Sequence, residues 1–277
     1  MWRGQRVSVI LPTYNELDSL PAAVDEAWRV GCVDEVLVVD NNATPGSEDA
    51  ARRAGARVVR EPVQGYGAAI RRGLSEARGD LLVVSEPDGT FAAHDVIKLL
   101  AYSDDFDVVY GTRTTLQLIW GGANMGWFLR IGNMAVAKYA ELLYNTNQLT
   151  DVGCTMRLLR RSAYEEMAPR FRVTGSHFGV EMMVLSFLLG HRVIQVPVNY
   201  RKRVGVSSVT GSKVMAIGVG LRMIGLLTRH RLTGGHRSRP PQRDDWAIET
   251  TGRALGAVAR EDAGGPPGDT RSIAAGG

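Results

Sequence analysis

Short apolar runs separated by amphipathic stretches organise the first 115 residues. Val7–Leu11, Glu35–Asp40, Leu81–Ser85 and Asp107–Tyr110 read as short buried strands. Between them, helical spacing appears near Ser19–Val30, Gly46–Ala54, Gly67–Ala77 and Ala93–Ala101. Strands alternating with helices predict an α/β fold with a mostly parallel central sheet and right-handed crossovers. In such sheets ligands bind beyond the carboxyl ends of the strands. Farther on, Trp120–Tyr144 is apolar and helical in character. Arg157–Arg161 and His191–Tyr200 read as further strands, with a helix near Val180–Leu189 between them. No internal repeat is visible.

From Leu232 the composition turns to Gly, Pro, Arg and Asp, which predicts a disordered tail over 232–277. Before it, Arg201–Arg243 carries ten Lys and Arg residues and no Asp or Glu. Within that stretch, Val214–Leu227 is apolar but broken by Arg222 and three glycines. It is too short for a bilayer span, which takes about 20 residues. An apolar segment flanked by bases suits an interfacial helix, placed at 213–231, on anionic lipid. A core helix with a solvated basic end is the plainer alternative.

The remaining bulk numbers narrow little. A 277-residue chain, 44% hydrophobic and 22% charged, is globular in composition. A formal charge of +4 is compatible with anionic substrates. Cys32 and Cys154 give no disulfide framework and suit a reducing compartment. The N-terminus has no basic region leading into an apolar signal core, so the expected location is cytoplasmic.

Chemistry enters with a series of motifs in fixed order. They are Val7-Ser-Val-Ile-Leu-Pro-Thr-Tyr-Asn-Glu16, Val38-Val-Asp40, Gln64-Gly-Tyr-Gly67 and Glu86-Pro-Asp88-Gly-Thr-Phe91. Val109-Tyr-Gly-Thr-Arg113, Asp151-Val-Gly-Cys-Thr-Met-Arg157 and Tyr200-Arg-Lys-Arg203-Val-Gly-Val-Ser207 complete the series. Each alone is weak; together, over roughly residues 7–230, the chain resembles the inverting family 2 glycosyltransferases of GT-A fold. Within that family it is most similar to the polyprenyl-phosphate hexosyltransferases, the dolichol-phosphate mannosyltransferase-like enzymes. The resemblance implies a GT-A domain over 1–212. It also implies transfer of a hexose from UDP-glucose or GDP-mannose to polyprenyl phosphate at the inner face of the membrane.

For the donor, the resemblance implies Asp40 at the base, with Pro12, Tyr14 and Glu16 as the facing wall. A carboxylate at a strand end could equally be a turn or helix cap. Gly65 and Gly67 open a helix whose amides and dipole favour phosphate. Tyr66 stands where similar enzymes often carry Lys, and Arg71 is a candidate substitute. Glu86 and Asp88 take the place of the family's Asp-x-Asp pair, which presents oxygens to Mg²⁺ or Mn²⁺. Glu86 departs from the usual Asp by one methylene, about 1.5 Å of reach. Asp40-Asn-Asn42 departs from the commoner Asp-Asp-Gly.

For the acceptor, a phosphate monoester is largely dianionic at neutral pH and needs cations to hold it, whereas a hydroxyl needs a base. The resemblance implies Arg113, Arg130, Arg203 and Ser207 as the phosphate clamp, and planar guanidinium suits bidentate contact. Ser208 replaces the family's Lys, with Lys213 nearby. Asp88, Asp151 and Glu181 are the catalytic candidates. Asp151 would orient the acceptor or complete the metal site, and Asp151 or Glu181 would act as base if the acceptor were a hydroxyl. Arg157 is expected to pair with a carboxylate or support its loop. The expected partners are a nucleotide sugar, polyprenyl phosphate, a membrane surface and either a membrane protein or a second copy, but no nucleic acid. Three alternatives stand beside this: a glycosyltransferase for soluble hydroxyl acceptors, a nucleotide-sugar-binding protein with weak turnover, and a nucleotidyltransferase.

Overall fold

The computed structural model describes residues 1–123, 126–146, 149–205 and the helix over 213–233, with its side chains from 217 on. Ser207, Ser208 and the tail from 234 fall outside the described residues, and so does the Lys213 side chain.

Seven strands form one sheet: β1 (Val7–Thr13), β2 (Glu35–Asp40), β3 (Arg57–Arg60), β4 (Leu81–Val84), β5 (Val108–Thr112), β6 (Arg157–Arg160) and β7 (Val193–Pro197). Their order is β3-β2-β1-β4-β6-β5-β7. All pairings are parallel except those of β6, which runs antiparallel to β4 and β5. The uniform apolar runs follow from burial on both faces: all seven residues of β1 are buried. Alternate side chains feed two cores. Ile10, Leu37 and Val39 point to one; Val9, Leu11, Val36 and Val38 point to the other.

Helices cover both faces: α1 (Leu20–Arg29), α2 (Ser47–Arg53), α3 (Tyr66–Glu76), α4 (Val96–Tyr102), α5 (Trp127–Tyr144), α6 (Arg161–Met167), α7 (Phe178–Leu188) and α8 (Lys213–Thr233). The sequence pattern places most of these within a few residues and misses β3. That strand is a four-residue edge flanked by arginines and only half-buried, so it lacks an apolar run. The apolar stretch from Trp120 becomes helical only at Trp127, because Gly121, Gly122 and Gly126 lie in between. Trp120 instead joins the segment after β7: its amide donates to Tyr200 O and its indole to Asn199 Oδ1.

α8 lies against α5 and α7. Leu227 is fully buried in the core. The Tyr144 hydroxyl donates to Leu227 O at 2.7 Å, and the Tyr139 and Thr228 hydroxyls meet at 2.8 Å. β1 and β4 are parallel neighbours at which the strand order switches sides, β2 and β3 lying beyond β1 and the later strands beyond β4, and the carboxyl ends of these two strands frame a cavity of about 690 Å³.

Candidate active site

The turn after β4 sets two carboxylates side by side. Asp88 Oδ1 accepts hydrogen bonds from the Thr90 amide (2.9 Å) and hydroxyl (2.5 Å), which fixes the side chain and leaves Oδ2 facing inward. Asp88 Oδ2 and Glu86 Oε2 lie 2.6 and 3.2 Å from the same atom, Nη2 of Arg203. The extra methylene of Glu86 therefore still lets both carboxylates reach one point. Glu86 is pushed up to about 8 by burial and by the Asp88 charge, against the pull of Arg203.

This geometry fits a divalent cation. A position that touches oxygens of two carboxylates is what Mg²⁺ or Mn²⁺ uses when the rest of its shell comes from substrate phosphates and water. Among the described residues no group of three or more His, Cys, Asp or Glu could hold a metal. The protein share of such a site would be these two side chains.

Pro12, Tyr14, Glu16, Glu86, Asp88, Arg113 and Arg203 all line the one cavity. The Tyr14 amide donates to Glu16 Oε2 at 2.7 Å, which folds the turn beyond β1. Asp40 is placed differently: its Oδ1 accepts from the Ala43 amide at 2.7 Å, a turn cap, and the cavity wall beside it is Asn41. Asn41 ties the loop before α3, donating to Glu61 O and Val63 O and accepting from the Gly65 amide. Gly65 reaches the cavity, but Gly67 serves packing. A Cβ on it would lie 2.7 Å from Phe178 Cβ. Arg71 is not among the residues that line the cavity, so it does not take the place of a phosphate contact.

Two acidic candidates are committed elsewhere. Asp151 is fully buried and grips Arg113 through Nε (2.8 Å) and Nη2 (3.0 Å), with the Arg113 and Gly153 amides on the same carboxylate. Arg113 therefore has its donor edge filled, and its guanidinium lies 5.2 Å from the Tyr200 ring centroid. Glu181 is also fully buried, and its oxygens accept from the amides of Arg172 and Val173 at 2.9 Å. Neither Asp151 nor Glu181 lines the cavity, so the role of a base positioned on an acceptor does not match where they sit. Arg130 does not line it either, although its neighbours Phe128, Leu129 and Gly132 do. Arg157 supports its loop, as one of the two expectations had it. It donates to Cys154 O and Val152 O at 2.9 and 3.3 Å and to Gly179 O.

Features that motif reading misses complete the cavity. The hydroxyls of Tyr66 and Thr155 are buried together in its wall. Burial and the Glu86 charge push the Tyr66 phenol well above its usual value, so it stays a donor. Beyond them the cavity turns apolar, between Leu129 and Val136 of α5, Val180 and Met182 of α7, and Leu221 and Ile224 of α8. The outer rim is exposed: Trp127 (70%) and Ile131 on α5, Ile217, Leu221 (64%) and Ile224 on α8. The spacing of Ile217, Leu221 and Ile224, at i, i+4 and i+7, is the signal that could have marked this face.

The protein-family model described as Glycosyl transferase family 2 matches residues 8–168. An uncharacterized glycosyltransferase of Mycobacterium tuberculosis is 34% identical over 214 residues, 76% of this chain and 92% of its own. An undecaprenyl-phosphate mannosyltransferase of Micrococcus luteus is 29% identical over 238 residues, 81% and 96% of the two chains. Among solved structures, glucosyl-3-phosphoglycerate synthase of M. tuberculosis in complex with Mn²⁺, UDP and phosphoglyceric acid superposes with a TM-score of 0.65. It has 21% identity and covers 82% of this chain and 79% of that one, a likeness of GT-A fold.

Proposed function

Since this chain belongs to glycosyl transferase family 2 and is a glycosyltransferase, we propose that its reaction is inverting transfer of a hexose from a nucleotide sugar to polyprenyl phosphate. The observation that carries this reading is the continuity of the cavity. It begins at Glu86 and Asp88 and runs into an apolar gallery between α5, α7 and α8. A soluble polar acceptor has no use for that gallery, whereas an isoprenoid chain would bury apolar surface there, at about 25 cal/mol per Å². A mannosyltransferase for undecaprenyl phosphate among the relatives supports the same class of acceptor.

An acceptor phosphate oxygen would attack the anomeric carbon. The bond from that carbon to the nucleoside diphosphate would break, and the configuration would invert. The phosphate brings its own negative charge, so no protein base is required. This agrees with the commitment of Asp151 and Glu181 to structural bonds. Glu86 and Asp88 would hold Mg²⁺ or Mn²⁺, which as a Lewis acid would offset charge on the departing diphosphate. Tyr14 and Asn41 stand at the carboxyl end of β1 and β2, where the nucleoside would lie.

The test is a transfer assay with a short polyprenyl phosphate, UDP-glucose and GDP-mannose in parallel, Mn²⁺ or Mg²⁺, and then EDTA. A lipid-linked product that EDTA abolishes is expected with one donor. Donor hydrolysis without lipid product under every condition would sink the reading.

No helix among the described residues is long and apolar enough to cross a membrane. We place the exposed rim of α5 and α8 on an anionic membrane surface, peripherally and on the inner face, with Arg222 and Arg229 flanking the aliphatic side chains. Leu221→Ser combined with Ile224→Ser is expected to weaken binding to anionic vesicles, read by sedimentation, by about a hundredfold or more. The loss follows from burying two aliphatic side chains less, at about 1.5 kcal/mol or more each. Unchanged sedimentation would remove this face from consideration.

A further inference from the structure

Arg203 does something at this site that a phosphate clamp alone does not require. Its guanidinium bridges the two carboxylates that fit a divalent cation, Nη2 lying 2.6 Å from Asp88 Oδ2 and 3.2 Å from Glu86 Oε2. The segment carrying it is strapped to the same turn by backbone. The Arg201 amide donates to Thr90 O at 2.7 Å, and the Val204 amide to Asp88 O at 2.9 Å. The strap keeps the head group in the neighbourhood whichever partner it has, because a long side chain can swing while its backbone stays tied.

A cation bound to Glu86 and Asp88 would need the oxygens that Arg203 now holds. Two like charges on the same pair of atoms repel, and the compact divalent ion concentrates more charge there than a delocalised guanidinium. The other arginines at the cavity wall are not free to make this exchange. Arg113 is gripped by Asp151, and Arg157 is held by three carbonyl groups, one on each of its nitrogens. Among the described residues, the ion-pair partners of Arg203 are Glu86 and Asp88.

We infer that Arg203 is an exchangeable counter-ion: it neutralises Glu86 and Asp88 until a divalent cation takes them, and the released guanidinium then faces the acceptor phosphate. Metal loading and acceptor capture are thereby coupled through one side chain. The inference rests on the metal-dependent transfer proposed above. It adds an order of events, in which the metal with its nucleotide sugar precedes a firmly held acceptor. It also makes Arg203 a positioning residue whose effect on metal affinity is opposite to its effect on acceptor affinity.

The decisive measurement needs no turnover. Mn²⁺ binding to the full chain, with UDP present, is followed by calorimetry or by the free-ion signal in electron paramagnetic resonance. Arg203→Gln is expected to bind Mn²⁺ about tenfold more tightly than wild type, a size usual for coupled sites. Arg203→Lys is expected to fall between them. In wild type, ¹⁵N spectra of the arginine side chains should show the Arg203 Nε signal move on adding Mg²⁺, while those of Arg113 and Arg157 stay. That measurement stands even if Arg203→Gln folds poorly. Equal or weaker Mn²⁺ binding by the variants, or an unmoved Arg203 signal in a wild-type protein that binds metal, overturns the exchange alone. Failure of wild type and variants alike to bind Mn²⁺ overturns the metal reading and the exchange with it.

Discussion

Asp88→Asn is expected to lower sugar transfer by about 10³-fold, roughly 4 kcal/mol of transition-state stabilisation, while leaving the fold in place. The substitution is chosen for what it preserves. Asn keeps an Oδ1 acceptor, so the bonds from the Thr90 amide and hydroxyl survive, and the turn after β4 keeps its shape. What disappears is the charge on Oδ2, the atom that meets Arg203 at 2.6 Å and that a divalent cation would need. A turn residue without chemistry would tolerate this change. Glu86→Gln is expected to give the smaller loss, because Glu86 makes the longer contact to the point that both carboxylates reach. The measurement is lipid-linked product at saturating Mn²⁺ beside a thermal melt of each variant. If Asp88→Asn kept a tenth or more of wild-type activity, the carboxylate pair would not be the metal site. A fall in melting temperature large enough to unfold it at the assay temperature would return the loss to stability.

The contrast between what was legible and what was not has a physical basis. β1, β2 and β4 announce themselves because sheets buried on both faces need uninterrupted apolar runs, and Val7–Leu11 and Leu81–Val84 have them. The pairing of Glu86 with Asp88 was equally legible, since residues two apart after a strand share one turn. Other features depend on contacts between distant segments. Nothing local to Arg157–Arg160 says that β6 runs antiparallel; its direction depends on where α5 returns the chain. Asp40 and Asn41 are adjacent, and either could have faced the ligand. The Asn41 side chain is the one that spans 20 and more residues to hold the loop before α3. Asp151 and Arg113 lie 38 positions apart, and motif logic assigned them to separate tasks that their mutual grip now joins. The apolar gallery was hidden for the same reason, because its walls come from α5, α7 and α8 and exist only after packing.

Breaking the Arg113–Asp151 pair is the second large effect expected, and it falls on stability. Removing one partner of a buried ion pair leaves an uncompensated charge and costs about 3–5 kcal/mol. Asp151→Asn should therefore lower the denaturant midpoint sharply at neutral pH, and Arg113→Met should do the same. The double variant should lose less than the sum of the two, because neither charge is then left alone. The pH dependence carries a sign. Burial pushes the Asp151 carboxyl up, but the Arg113 charge and hydrogen bonds, with the amides of Arg113 and Gly153, outweigh it and hold it below the usual range. A depressed carboxyl stabilises the fold above its unfolded value, near 3.9, and that stability is lost as pH falls through the lower folded value. The gap between wild type and Asp151→Asn should thus be fully open at pH 7 and shrink below about pH 4. Urea unfolding at pH 7 and pH 3 measures it. An acceptor-side base predicts the reverse pattern: Asp151→Asn within about 1 kcal/mol of wild type in stability, a range usual for mutations away from buried networks, with its turnover collapsed. That result would restore a catalytic role to Asp151 and move the acceptor question back to hydroxyl groups.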